Sequence, residues 1–215
     1  MHILDRYDLF IFDWDGTLVT TPTFDVITKR IKPRYNMTFI KRHKRYYLRQ
    51  TVENVKLEKQ EAAEHSFFSS LYDIFSLFYK PKLKPSTVDI LKLLKARHKK
   101  VVIFSDAKQY RLTKEVHDLG VAKYVDYLLS SESIRSFKPS PLGLEFIIRH
   151  MRSNRKKALY IGDFVSDVMM SKFGGVDVCA VADGISSYAQ LKDTAPNYVF
   201  RSLKDMREHL LPSRR

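Results

Sequence analysis

The alternation of short apolar runs with helical patterns limits the folds open to this chain. Six runs of about strand length occur, at residues 9–12, 101–104, 125–129, 158–161, 178–181 and 198–200. Four helical patterns lie between them, at residues 88–94, 110–119, 142–151 and 165–173, and the second stops at Gly120. Strands that alternate with helices predict an α/β fold with a doubly wound parallel sheet and right-handed crossovers.

A segment of different character, residues 20–84, interrupts this alternation and shows no convincing strand. Its apolar residues include one helical stripe formed by Phe67, Phe68, Leu71, Ile74, Phe75 and Phe78. We therefore predict a core over residues 1–19 and 85–215 and a helical cap over residues 20–84, with residues 80–85 as the return linker. The cap segment has 14 Lys and Arg against 6 Asp and Glu, and residues 29–49 contain nine basic residues and no acid.

Size and composition limit the class of protein further. A chain of 215 residues suits one domain with a smaller insert. It contains no apolar run of about 18 residues, so no membrane-spanning helix is expected. The start of the chain lacks the features of a signal peptide, and the single cysteine, Cys179, excludes an internal disulfide and reads as a core residue. These features predict a cytoplasmic setting. The net charge of +14 favours anionic partners, and the oligomeric state is left open.

Two carboxylates follow the first apolar run, in the sequence Asp13-Trp14-Asp15-Gly16-Thr17. Side chains two residues apart point the same way in an extended chain, so one acid can attack while the other transfers protons. Gly16 permits a sharp exit from the strand. Taken alone, the motif also fits a solvated Asp-Gly turn.

Two further polar features follow later strands. Ser105 and Asp106 close the run at 101–104, where a hydroxyl and free backbone N–H groups suit a phosphate oxygen, or simply cap a helix. Lys138 precedes Pro139, which stiffens its loop. This lysine would offset crowded negative charge, although alone it also fits a solvated loop.

A second pair of acids, Asp163 and Asp167, follows the run at 158–161. Residues four apart lie on one side of a helical turn, and carboxylate oxygens suit Mg²⁺. A capping Asp beside a surface Asp is the alternative for this pair alone. Because ligands bind at the carboxyl edge of an open parallel sheet, we expect all four features to meet there.

Together, the four features resemble the pattern of the haloacid dehalogenase-like superfamily: a D-x-D-G-T strand end, a Ser or Thr at a second strand end, a Lys, and paired acids after another strand. The resemblance covers nearly the whole chain, and the insert stands where phosphoglycolate-phosphatase-like members carry a cap. It implies a Rossmann-like core and magnesium-dependent hydrolysis of a small anionic phosphate monoester, with phosphoglycolate-like compounds as candidates.

The resemblance also implies residue roles. Asp13 would become the aspartyl phosphate, and Asp15 would protonate the leaving group and then activate water. The phosphoryl group would contact Ser105, Asp106 and Lys138. Magnesium would bind Asp13, the main-chain carbonyl of Asp15, Asp163, and Asp167 either directly or through water. These roles agree with the need of a phosphoryl group in transfer for a metal and a cation.

Within this superfamily, Asp15 favours a phosphatase over a dehalogenase, because an alkoxide leaving group needs an acid and a halide does not. Asp106 is a departure, since phosphoglycolate-phosphatase-like members often have Asn there. A carboxylate at this position would repel a phosphate unless it turns away. This departure therefore bears on the identity of the substrate rather than on the type of reaction.

Two rival functions remain at this point. A phosphomutase shares the motifs but must exclude water. A nucleic-acid-binding protein would use the run of basic and aromatic residues at 41–47, although the clustered acids disfavour it. The basic cap would either attract anionic substrates or only keep the protein soluble.

Overall fold

The computed structural model describes residues 2–20 and 80–211. Six parallel strands form its main sheet, in the spatial order β5-β4-β1-β6-β7-β8. These strands are β1 (Leu9–Phe12), β4 (Lys100–Ser105), β5 (Tyr127–Ser130), β6 (Ala158–Gly162), β7 (Asp177–Val181) and β8 (Tyr198–Phe200). All six coincide with the apolar runs in the sequence, which confirms the prediction of a doubly wound parallel sheet.

Eight α-helices occur in the described residues: α1 (Ile3–Arg6), α2 (Thr87–Ala96), α3 (Gln109–Asp118), α4 (Ser131–Ile134), α5 (Leu142–His150), α6 (Val165–Gly174), α7 (Tyr188–Asp193) and α8 (Leu203–Leu210). The four helices that the sequence patterns indicated are α2, α3, α5 and α6. The shorter α1, α4 and α7, and the C-terminal α8, were not predicted.

The neighbouring strands β1 and β6 are buried along their whole length because both faces of the sheet are covered there. Phe10 and Phe12 point into one buried cluster, which includes apolar residues of α2, α3 and α8. Leu9 and Ile11 point into another, which includes residues of α5, α6 and α7. Cys179 is fully buried in the first cluster, as expected.

A short ribbon pairs β2 (Val19–Thr20) with β3 (Lys82–Leu83) in antiparallel orientation. The sequence had indicated no strand in residues 20–84, because two-residue strands leave no periodic pattern. The chain divides into two compact units, one formed by residues 1–21 and 81–215 and the other by residues 22–80. Apart from Lys80, the second unit lies outside the described residues, so the helical cap and its basic face stay predictions.

The strand order places β1 at the centre, between β4 and β6. The helices that follow β4 and β6 pack on opposite faces of the sheet. A crevice therefore opens at the carboxyl ends of β1 and β6. No helix in the described parts of the chain is long and apolar enough to cross a membrane.

Candidate active site

The two acids that follow β1 and β6 lie side by side at this crevice. The backbone N–H of Asp13 donates to the carbonyl of Ile161 at 2.8 Å, which continues the pairing of the two strands. The Thr17 hydroxyl lies 2.7 Å from Asp163 Oδ1 and 3.3 Å from Asp13 Oδ2. Thr17 belongs to the first sequence motif, but its link between the two acids was not predicted.

Asp167 is held in the first turn of α6. One of its carboxylate oxygens accepts the Phe164 N–H at 3.0 Å, and the other accepts the Tyr160 hydroxyl at 3.1 Å. Asp167 therefore caps the helix, but both Asp163 and Asp167 are buried, so the alternative of a capping Asp beside a surface Asp was wrong. The cap contact also fixes the direction in which its carboxylate points.

Asp13, Asp163 and Asp167 form a buried cluster in which each offers one carboxylate oxygen within 4.8 Å of the others. Burial raises the pKa of Asp13 well above its ordinary range; the carboxylates of Asp167 and Asp163 add to the rise, while Lys138 opposes it. Burial likewise raises the pKa of Asp163 to about 6, against the opposing charge of Lys84. Three buried acids of this kind need positive charge, and a hard divalent cation with oxygen ligands fits the donor set.

Lys138 already supplies part of that charge. Its Nζ lies 2.5 Å from Asp13 Oδ1 and 2.9 Å from Asp167 Oδ1, and the residue is only 5% exposed. Burial opposes its charge, but the two carboxylates outweigh burial and raise the pKa of Lys138 well above the ordinary value. The sequence reading of a charge-offsetting lysine beside the acids agrees with this arrangement, whereas a solvated loop lysine does not.

Ser105 and Asp106 lie at the end of β4. The Ser105 Oγ accepts the Ala107 N–H at 3.1 Å, which shapes the turn into the next helix. One Asp106 oxygen accepts both the Ser131 hydroxyl and the backbone N–H of Lys138, the latter at 3.3 Å. The Asp106 carboxylate thus ties down the Lys138 loop. Phosphate binding by Ser105 and Asp106 stays a prediction, to which the Asp106 backbone N–H would contribute.

The second acid of the first motif, Asp15, does not share the three-acid cluster. Arg111 on α3 holds both of its carboxylate oxygens, at 2.5 and 3.1 Å. Arg111 also contacts Glu115, 3.1 Å away, and Glu115 accepts the Trp14 indole N–H at 2.7 Å. Trp14 is fully buried, as the sequence suggested. The Arg111–Glu115 support was missed because a charged pair four residues apart on a helix is common on surfaces.

The loop after β7 completes the surroundings of Asp163. The Ile185 N–H donates to Asp163 Oδ2 at 2.5 Å, and the Ser186 N–H donates to its main-chain carbonyl at 3.1 Å. Beside it, Lys84 contacts the carbonyl of Gly16 and the Asp183 carboxylate, the latter at 3.0 Å. Neither Lys84 nor this loop was predicted, because each looks like an ordinary polar connection in the sequence.

Gly184 gives a test of the metal site that does not depend on catalysis. A Cβ atom at this position would lie 1.9 Å from Asp163 Oδ2 and 2.3 Å from its Cγ, so Gly184→Ala must displace the carboxylate. We expect Mg²⁺ at 100 times Kd to raise the free energy of unfolding of the native chain by about 2.7 kcal/mol, and therefore to raise its melting temperature. In Gly184→Ala most of this stabilisation should be lost.

Gly174→Ala is the matched control, because its Cβ would approach no atom closer than 3.3 Å. Both variants are compared with Mg²⁺ and with chelator by thermal unfolding. An undiminished Mg²⁺ effect in Gly184→Ala would show that the ion does not depend on Asp163.

Comparison with known proteins adds three findings. A family model described as haloacid dehalogenase-like hydrolase matches residues 7–175. Phosphoglycolate phosphatase 1 of Pseudomonas aeruginosa is 24% identical over 69% of this chain, and the match spans 54% of that relative, about half its length. A phosphoglycolate phosphatase of Nitrosococcus oceani is also 24% identical, over 97% of this chain and 98% of the relative.

Among solved structures, a putative haloacid dehalogenase-like hydrolase from Bacteroides fragilis superposes with a TM-score of 0.70. It is 20% identical, and the superposition covers 94% of this chain and all of that one. At this identity the likeness concerns the fold, and it agrees with a Rossmann-like α/β core.

Proposed function

The chain belongs to the haloacid dehalogenase-like hydrolases, and on that premise we propose that it is a magnesium-dependent phosphatase that forms an aspartyl phosphate on Asp13. The observation that carries the proposal is the position of the Asp13 carboxylate. It lies at the carboxyl end of the central strand, in contact with Lys138 and within the cluster completed by Asp163 and Asp167. A nucleophile, a cation and a candidate metal site thus share one place.

In the first half of the proposed reaction, a carboxylate oxygen of Asp13 attacks phosphorus and the ester P–O bond breaks. The bonding electrons go to the leaving oxygen, which takes a proton from Asp15. In the second half, water attacks phosphorus while Asp15 accepts its proton, and the Asp13 carboxylate departs as phosphate is released. The net reaction consumes one ester and one water.

The charges around Asp13 favour this transfer. Lys138 would stay at the nucleophile and contact the oxygens of the phosphoryl group, with Ser105 and the backbone at Asp106 as further donors. Asp13, Asp163, Asp167 and the main-chain carbonyl of Asp15 would hold Mg²⁺, which supplies positive charge to the phosphoryl oxygens. Burial of the cluster strengthens each of these interactions, because the local dielectric constant is low.

Small phosphate monoesters are the proposed substrates, and a cytoplasmic setting stays part of the proposal. The names of the two curated relatives make phosphoglycolate the first compound to test. A panel of phosphorylated metabolites, assayed for inorganic phosphate with Mg²⁺ or with excess chelator, tests the function. We expect release that requires Mg²⁺. Full release in chelator would contradict the metal assignment, and isomerised sugar phosphates without phosphate release would indicate a mutase.

Asp15→Asn tests the proposed proton transfer. General acids contribute about 10²- to 10⁴-fold, and a poor leaving group needs the proton most. The comparison uses kcat/KM, which reports the first half of the reaction and is independent of hydrolysis of the intermediate. We therefore expect kcat/KM for an alkyl phosphate to fall about 100-fold or more, and kcat/KM for a nitrophenyl ester about 10-fold or less. Equal losses on both substrates would remove Asp15 from the acid role.

A further inference from the structure

The N-terminal edge of the sheet, opposite the candidate active site, has a surplus of positive charge. Two turns produce it, residues 97–100 before β4 and residues 152–157 before β6. They contain seven Lys and Arg and no acid. Six of these basic side chains are exposed: Arg97, Lys100, Arg152, Arg155, Lys156 and Lys157.

The two turns form one continuous surface, which we call the basic edge. Their strands flank β1, and Lys100, Leu9 and Ala158 lie in register. Neighbouring strands are about 4.8 Å apart, so the strand ends span only about 10 Å. The side chain of Lys100 reaches across to donate to the carbonyl of Met151 at 2.6 Å.

Nearby acids do not neutralise the basic edge. Asp8 pairs with Lys99 at 3.2 Å, Asp126 with Lys95 at 2.6 Å, and Glu145 with Arg155 at 3.4 Å, so each acid already has its own cation. Within residues 2–20 and 80–211, no carboxylate forms an ion pair with the remaining five cations: Arg97, Lys100, Arg152, Lys156 and Lys157.

Helix stabilisation does not account for these charges. Basic residues at the C-terminal end of a helix offset its dipole, and Lys95 in α2 and Arg149 in α5 occupy such positions. The dipole effect fades beyond the last turn. Arg97 is the C-cap of α2, but the other cations of the basic edge lie further along the chain than the last turns of α2 and α5, so the dipoles of these two helices do not account for them.

An aromatic stack lies beside the basic edge. Tyr127 begins β5, next to β4, and its ring centroid is 4.0 Å from that of His150, which in turn is 5.8 Å from that of Phe146. His150 is exposed. Among the described residues, the exposed large hydrophobic side chains lie outside both turns, at Tyr110, Leu142, Phe173 and Leu211. The basic edge therefore has an exposed aromatic residue, His150, beside it, and its two turns contain none of the exposed large hydrophobic side chains of the described residues that could insert into a bilayer.

We propose that the basic edge binds single-stranded nucleic acid. Its cations pair with backbone phosphates, and a base packs against the exposed His150, the combination found in proteins that bind single strands. The surface is separate from the candidate active site, which lies at the other edge of the sheet. None of its residues belongs to the basic run at residues 41–47, which lies outside the described residues.

Fluorescence anisotropy of the full chain with labelled oligouridylate and oligothymidylate of about 20 nucleotides tests the proposal, since single-strand sites of this kind cover about 4–16 nucleotides. The variant Arg152→Glu/Lys156→Glu/Lys157→Glu reverses three charges of the basic edge. The control reverses three exposed lysines on other helices: Lys92→Glu, Lys192→Glu and Lys204→Glu. Both change the net charge equally, and both leave residues 41–47 intact.

We expect the basic-edge variant to bind at least about 10-fold more weakly at moderate salt. The slope of log affinity against log salt concentration should also become less steep by about 2, since each lost phosphate contact on a single strand removes about 0.7 from it. The control should change affinity less than about threefold. Thermal unfolding checks that both variants fold, and Gln substitutions at the same three positions replace Glu if the reversal prevents folding.

Three results would overturn the proposal. One is that the native chain does not bind either oligonucleotide. Another is equal weakening in both variants, which would mean that only net charge matters. The third is a basic-edge variant that retains oligonucleotide binding but loses binding to phosphatidylserine vesicles, which would identify an anionic membrane as the partner.

Discussion

Replacing Asp13 by asparagine should reduce turnover by at least about three orders of magnitude, because removal of a catalytic nucleophile has costs of this size or more. The amide cannot form the acyl phosphate, and it also removes one of the three carboxylates of the cluster. Steady-state assays with a nitrophenyl ester, in Mg²⁺ well above the level that saturates the native chain, check the effect. High Mg²⁺ separates loss of the nucleophile from a weakened metal site.

The control is Asp193→Asn, which makes the same chemical change at an exposed residue of α7. It should keep turnover within about twofold, as surface substitutions usually do. An Asp13→Asn chain that keeps more than a tenth of native turnover, after deamidation is excluded by mass spectrometry, would show that Asp13 is not the nucleophile.

Lys138→Met should reduce both activity and stability. The variant keeps the length of the stem but removes the buried cation that contacts Asp13 and Asp167. Loss of one partner from a buried charged group costs about 3–5 kcal/mol of unfolding free energy. Loss of a donor aimed at developing charge costs about 10²- to 10³-fold in kcat. Urea unfolding in chelator and assays in saturating Mg²⁺ measure the two effects separately.

The stability loss should also depend on pH. A carboxylate whose pKa is higher in the folded chain than in the unfolded chain lowers the free energy of unfolding at pH values above the folded pKa. This cost declines as pH falls toward the ordinary carboxylate pKa of about 4. In chelator, the deficit of Lys138→Met should therefore be largest at neutral pH and smaller at pH of about 5. Lys192→Met, at an exposed site, should show neither effect. A deficit that does not change with pH would indicate lost packing rather than unpaired acids.

The sheet could be predicted from the sequence because its strands are mostly apolar, and β1 and β6 are buried on both faces along their whole length. Such strands appear as uninterrupted apolar runs, and Leu9–Phe12 is fully buried along its length. The ribbon of Val19–Thr20 with Lys82–Leu83 could not be predicted, since its partners are two residues long and more than 60 residues apart in sequence. The short α4 and α7 likewise span too few turns to show a helical period.

In the candidate site, too, local sequence patterns could be predicted and contacts between distant residues could not. The residues in the four motifs lie next to strand ends, and parallel topology brings those ends together. Asp13, Lys138, Asp163 and Asp167 are accordingly grouped in the structure. The supporting side chains depend on contacts between distant parts of the chain. Arg111 reaches Asp15 across 96 positions, and no local pattern marks it as different from other helix-surface arginines.

The most direct test of the central claim is to trap the phosphorylated residue. The Asp15→Asn chain should accumulate the intermediate on a nitrophenyl ester, because leaving-group protonation matters little while water activation is impaired. After an acid quench, chemical reduction of the acyl phosphate marks the carboxyl group that carried the phosphoryl group. Tandem mass spectrometry then locates the marked residue. The account predicts one phosphoryl group, on Asp13, formed only with Mg²⁺ and lost over time to water. Hydrolysis without any covalent intermediate, or a phosphoryl group on another residue, would contradict it.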